Sequence, residues 1–147
     1  MQANKDNKHI VVGLEDLDSI VDYLKQKMKV CKIFAFWGAL GAGKTIIIRR
    51  LLRKCGVHGP ITSPTFTYLN AYKNDQGESF YHFDLYRIEN LKDFLSAGFD
   101  EYLYAENSWC FIEWPKVIES LLRDKICHVC IDYLQDPDKR IFTCELK

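Results

Sequence analysis

Nowhere does this 147-residue sequence contain a run of about 18 consecutive apolar residues, the length a helix needs to cross a bilayer, so no membrane span is expected. Its first residues, Met1 to Lys8, are polar and lack the apolar centre of a secretory signal, which points to a cytoplasmic protein. Net charge is absent as well, because 20 Lys and Arg balance 20 Asp and Glu. A protein that holds nucleic acid by itself neutralises phosphates with a broad basic face, and this balance argues against one. Repeats, low-complexity tracts and linkers are missing, so residues 1–147 are expected to form a single domain, large enough for a real core. Four paired metal ligands are lacking too. Cys31, Cys55, Cys110, Cys127, Cys130 and Cys144 are scattered, and Cys127-His128-Val129-Cys130 is a lone CxxC where structural zinc wants a closed set of four. Residues three apart on a strand face opposite ways, so buried reduced thiols are the expectation.

What is present is Gly38-Ala39-Leu40-Gly41-Ala42-Gly43-Lys44-Thr45, which fits G-x-x-x-x-G-K-[ST], the phosphate-binding P-loop. Lys32 to Trp37 before it is almost continuously apolar, as a strand buried on both faces should be. Thr45 to Cys55 after it reads as a helix, closed by Gly56. In such a loop, backbone N–H groups and the positive end of the following helix surround a polyphosphate. Gly38 and Gly43 sit where a Cβ would obstruct a tight turn or a close approach to oxygen. Lys44 would reach the β- and γ-phosphates of ATP, and the Thr45 hydroxyl would ligate Mg²⁺.

Other elements follow from period and punctuation. His9 to Leu14 reads as a strand. Asp16 is a plausible N-cap for a helix whose apolar face is Leu17, Ile20, Val21, Leu24 and Met28. Phe66 to Tyr72 and Ser79 to Asp84 read as strands joined at Asn74 to Glu78. Glu89 to Leu95 is a helix candidate stopped by Gly98, and Phe99 to Tyr104 a further turn. Trp109 to Glu113 is a buried strand. Pro115 suits the first turn of a helix to about Arg123. Ile126 to Tyr133 and Arg140 to Leu146 are final strands. The alternation predicts an α/β three-layer fold of the P-loop NTPase type, with a mostly parallel central sheet, helices on both faces and an antiparallel hairpin or edge.

A P-loop needs an acid to hold the metal and a group to orient water, and acids ending buried strands are where open α/β sheets put them. Asp84 and Glu113 both qualify, and pattern alone does not rank them. Ser63-Pro64-Thr65-Phe66-Thr67 offers hydroxyls and amides that could close on a γ-phosphate, or is an ordinary polar loop. His82 is either packed in the core or a proton-shuttling neighbour of Asp84, with packing favoured. Arg87 is expected to pair with Asp84 or Glu89 rather than to reach phosphate. Arg49, Arg50, Arg53 and Lys54 make the helix basic, as a solvated face or a docking surface for a partner or a tRNA backbone.

Together these motifs resemble the bacterial TsaE (YjeE) family of P-loop ATPases. The matching pieces are Leu40 to Thr45, Ser63-Pro64-Thr65-Phe66, His82-Phe83-Asp84-Leu85-Tyr86-Arg87 and Ile112-Glu113-Trp114-Pro115, in family order over about Val11 to Leu146. Ala39 departs from the acidic residue usual in the family, at a position expected to point away from the phosphates. The resemblance implies an ATPase that assists a TsaB–TsaD core in moving a threonylcarbamoyl group onto the tRNA adenosine beside the anticodon, touching tRNA only through that complex. It implies Lys44 and Thr45 as phosphate and Mg²⁺ ligands, Glu113 as the metal-associated acid, Asp84 as the acid of a second switch placing water or the metal shell, and residues 63–67, with Ser63 and Thr65, as a first switch. A small-molecule kinase using the same loop is the alternative, although the stretch between Glu113 and the last strands carries only Arg123 where a kinase would want an Arg-rich lid. A GTPase would want N-K-x-D, and Asn74 is followed by Asp-Gln-Gly instead.

Overall fold

The computed structural model describes residues 8–123 and 125–147. Its strands are β1 (Lys8–Gly13), β2 (Ile33–Trp37), β3 (Leu69–Lys73), β4 (Ser79–Asp84), β5 (Ser108–Glu113), β6 (Ile126–Tyr133) and β7 (Lys139–Leu146). They form one sheet of order β1-β7-β6-β2-β5-β4-β3. The inner four, β6, β2, β5 and β4, are parallel, while β1, β7 and β3 join antiparallel at the edges. The helices are α1 (Leu17–Lys27), α2 (Lys44–Lys54) and the short α3 (Leu91–Ser96), with 3-10 turns at Leu14–Asp16, Phe99–Tyr102 and Pro115–Leu121.

Alternation along β2 explains the two cores. Phe34 and Phe36 point to one face, where α1 and α2 pack with Phe111, Val129 and Phe142. Ile33 and Ala35 point to the other, where Phe94 of α3, Leu103 and Ile118 cover Cys110 and Ile112. A strand buried on both sides has no polar face, which is why β2 and β5 read as continuous apolar runs. Leu17, Ile20, Val21 and Leu24 of α1 are all buried, the expected stripe of an amphipathic helix. The basic residues of α2 look partly toward α1: Arg50 pairs with Asp18 and Lys54 with Asp22, exposed pairs worth about 0–1 kcal/mol each.

At the end of α2, Gly56 has φ 87°, its N–H donates to the Arg53 carbonyl, and the Val57 N–H donates to that of Leu52. This pairing is the Schellman arrangement, so Gly56 stands at C′ because a side chain there would be strained. The buried Asn74 side chain then donates to the Cys55 carbonyl, tying the β3–β4 turn to that helix end.

Several boundaries differ from the sequence reading. β3 begins at Leu69, not Phe66; Tyr68 has φ 64° and Phe66 is 80% exposed. Residues 115–121 form a 3-10 turn rather than an α-helix. Asp16 stands at the N-cap of α1 but its side chain makes no capping bond; the Ser19 hydroxyl instead donates to its carbonyl. α3 starts two residues later than expected, where the Asn90 side chain accepts from the Asp93 N–H. All six thiols are free, and only Cys130 is half-buried; the others are buried. No helix among the described residues is long and apolar enough to cross a membrane.

Candidate functional site

Parallel neighbours bring three strand ends to the same edge of the sheet. Phe36 of β2 is in register with Glu113 of β5, and Asp84 of β4 is in register with that same Glu113. Beyond β2 the glycine-rich loop turns back into α2, whose positive end faces this edge. The result is a cleft of about 460 Å³, lined by 40–46, Ser63, Thr65, Asp84, Tyr86, Arg87, Glu113 and Trp114. Of the residues expected to bind phosphate or metal, 40–45, Ser63, Thr65, Asp84 and Glu113 line this cleft, and Gly38 and Ala39 lie outside the lining.

Gly38 has φ 147°, and a Cβ on it would lie 2.3 Å from the Ile131 carbonyl oxygen of β6. Glycine is needed there because two backbones touch. Gly43 is different: a Cβ would meet nothing within 4 Å, but φ is 115°, so its requirement is conformational. Ala39 is exposed, consistent with a side chain turned away from the cleft. Tyr133, at the end of β6, donates its hydroxyl to the Leu40 carbonyl and braces the loop.

Lys44 is buried, yet its ammonium is held by main-chain oxygens alone. Nζ donates to the carbonyls of Gly38 at 2.6 Å and Ala39 at 3.0 Å, and lies 4.1 Å from the centre of the Trp114 ring. Desolvation pushes its pKa down, against the pull of the nearby Glu113 and Asp84 carboxylates. Asp84 is perturbed the other way: desolvation raises its carboxyl, opposed by the Tyr86 N–H that donates to Oδ1. Both shifts favour the uncharged form, and desolvation is the larger cause of each.

Glu113 is 3% exposed and bonded at both oxygens. The Thr45 hydroxyl donates to Oε1 at 2.7 Å, and His82 Nε2 lies 2.7 Å from Oε2. The sequence reading set His82 as a packed residue or a neighbour of Asp84; it is buried but bonded to Glu113. Arg87 does not pair with Asp84 or Glu89 among the described residues. Its guanidinium lies 5.0 Å from the centre of the Phe66 ring at the cleft's rim. Ser63 and Thr65 share a hydroxyl contact of 3.2 Å beside the cleft.

Sequence reasoning missed Trp114 and Tyr86. Their rings pack at 4.9 Å, and Trp114 roofs Lys44 from a left-handed backbone, φ 58° and ψ 56°. The Trp-Pro pair gave no usable signal, since a residue before proline is steered to extended backbone and Trp114 is left-handed.

Comparison with known proteins gives a consistent picture. The family described as "Threonylcarbamoyl adenosine biosynthesis protein TsaE" matches residues 12–141. A protein of Rickettsia felis named "tRNA threonylcarbamoyladenosine biosynthesis protein TsaE" is 34% identical over 128 residues, covering 86% of this chain and 72% of its own. The protein of that name in Rickettsia typhi is 32% identical over 140 residues, covering 95% and 93%. The crystal structure of YdiB from Bacillus subtilis shares the fold, with a TM-score of 0.69, 23% identity, and coverage of 96% of this chain and 88% of that one.

Proposed function

This chain belongs to the TsaE family of threonylcarbamoyl adenosine biosynthesis proteins, and from that premise we propose that it binds Mg-ATP in the cleft and hydrolyses it, slowly alone and faster on a TsaB–TsaD core. The observation that carries this reading is the convergence of Lys44, Thr45, Asp84 and Glu113 on one cleft at the N-terminus of α2. The donor set fits magnesium: a hydroxyl and two carboxylates are hard oxygen ligands. Among the described residues no group of three or more His, Cys, Asp or Glu is arranged to hold a metal. That agrees with an ion which takes one or two carboxylates and draws its remaining ligands from water and phosphate.

Bound Mg²⁺ would neutralise charge on the β- and γ-phosphates. The chain's part is as follows. The loop amides and Lys44 bind phosphate, with Lys44 leaving the Gly38 and Ala39 carbonyls to do so. Thr45 and Glu113 would hold the metal, and Asp84 would orient water or the metal's hydration shell. Water attacks the γ-phosphorus, the bond to the bridging oxygen breaks, and ADP and phosphate leave. Arg87 is the one arginine lining the cleft among the described residues, and it rests on Phe66. That supports a slow isolated enzyme, because an arginine supplied in trans is worth about 10³–10⁵ in rate in related phosphoryl transfer. Exposed Leu40, Phe66 and Tyr86 rim the opening and suit a covering partner.

Trp114 provides the test. Drawing Lys44 off its ring should change tryptophan emission, so Mg-ATP added to the protein should give a saturable change that Trp114→Phe abolishes. Titration with no saturable change in the unmodified protein, and no competition with a fluorescent ATP analogue, would refute nucleotide binding here.

A further inference from the structure

His82 and Arg140 are the two described residues that keep a buried side-chain nitrogen without a partner; in His82 it is Nδ1. The ring is 1% exposed. Its other nitrogen, Nε2, lies 2.7 Å from Glu113 Oε2, while the Thr45 hydroxyl occupies Oε1. The register explains the meeting. His82 is opposite Phe111 on the neighbouring parallel strand, and Glu113 is two residues further along β5, on the same face. The lone Nδ1 selects the tautomer. A buried N–H without an acceptor costs more than a buried lone pair without a donor, so the proton sits on Nε2 and is donated to Glu113.

We propose that His82 is a positioning residue for Glu113. It occupies Oε2 and fixes the rotation of the carboxylate, so that Oε1 is the oxygen presented to the cleft when Thr45 turns to its own ligand. This rests on the reading of Thr45 and Glu113 as holders of Mg-ATP. A histidine present only for packing could be exchanged for phenylalanine. In this structure that exchange removes the one donor to Oε2 and leaves a buried carboxylate free to rotate. Partners of this kind behind a metal ligand typically change metal affinity or activity by about 10–100-fold.

The test compares His82→Phe and His82→Gln with the unmodified protein. It measures affinity for a fluorescent ATP analogue in Mg²⁺ and in EDTA, turnover with the TsaB–TsaD core, and the imidazole ¹⁵N spectrum. H82F should lose about 10–100-fold of the affinity gained from Mg²⁺ and a similar factor in kcat, with binding in EDTA unchanged. H82Q, whose amide nitrogen can donate from the place of Nε2, should recover most of both. The ¹⁵N spectrum of the unmodified protein should show Nε2 protonated and Nδ1 bare, a result that needs no variant to fold. An H82F protein that keeps the full Mg²⁺ gain, an H82Q no better than H82F, or an Nε2 without a proton would overturn the role of His82 alone. Unmodified protein with no Mg²⁺-dependent ATP binding would overturn the reading of the site, and the role of His82 with it.

Discussion

Lys44→Ala should cut kcat/KM for ATP by about 10²–10³-fold and weaken nucleotide binding by a comparable factor, the usual scale for removing a preorganised group from a developing anion. The structure makes the loss larger than that of a surface lysine. Lys44 is buried, its pKa is pushed down by desolvation, and it meets only two carbonyls and the Trp114 ring. A charge already stripped of water gains more from a phosphate than one that must first shed it. Folding should survive, because the charged form is disfavoured at this position and its removal offsets part of the lost packing. The Gly38 and Ala39 carbonyls sit in a half-exposed loop where water can replace Nζ. Isothermal titration and steady-state hydrolysis, with the melting temperature as a control, measure these effects. A folded K44A protein binding ATP as tightly as the original would remove the phosphate role from Lys44.

Glu113→Gln separates the charge of this carboxylate from its shape. The side chain keeps its shape, and a flipped amide satisfies both neighbours: its oxygen accepts from His82 Nε2, and its NH₂ donates to the Thr45 hydroxyl. What disappears is the negative charge. Binding in EDTA should therefore be unchanged, while the affinity gained from Mg²⁺ falls by about 10–100-fold, as for H82F, and kcat falls by about 10²–10³-fold, in the range expected for losing a group that handles the proton or the metal. Transfer of the threonylcarbamoyl group to tRNA in a reconstituted system should fail at the same substitution. Full tRNA modification by E113Q would mean that nucleotide binding suffices and hydrolysis is incidental.

Much of this site was legible in the sequence because β2 and β5 are buried on both faces and read as apolar runs, while β4 and β6 alternate between buried and partly exposed positions. β4 and β6 fall where the pattern puts them, and β2 and β5 lie within one residue of it. The acids at the ends of β4 and β5 stand out against apolar runs for the same reason. Boundaries failed where composition and backbone disagree. Phe66-Thr67-Tyr68 has the aromatic and β-branched character of a strand, but it is a loop with a left-handed residue. The 3-10 turn at Pro115–Leu121 lies within a segment read as α-helix, and both begin with a proline after a strand.

What sequence did not rank was Asp84 against Glu113, since both are acids at strand ends. Hydrogen bonding separates them. Glu113 takes the Thr45 hydroxyl, whereas Asp84 takes a local backbone N–H from Tyr86. His82 is packed in the core, as favoured, but its bond to Glu113 went unread for a related reason. Its partner lies 31 residues away in sequence, and only strand register places the two on one face. Trp114 escaped notice because an aromatic residue between an acid and a proline carries no chemistry of its own until Lys44 is seen beneath it.

The most direct measurement is the rate of ATP hydrolysis by this protein alone, then with its own TsaB–TsaD core, with and without tRNA. The account predicts slow, Mg²⁺-dependent turnover alone that rises on adding the core. Hydrolysis at tens per second without any partner would contradict it, as would ATP binding with no hydrolysis in any mixture.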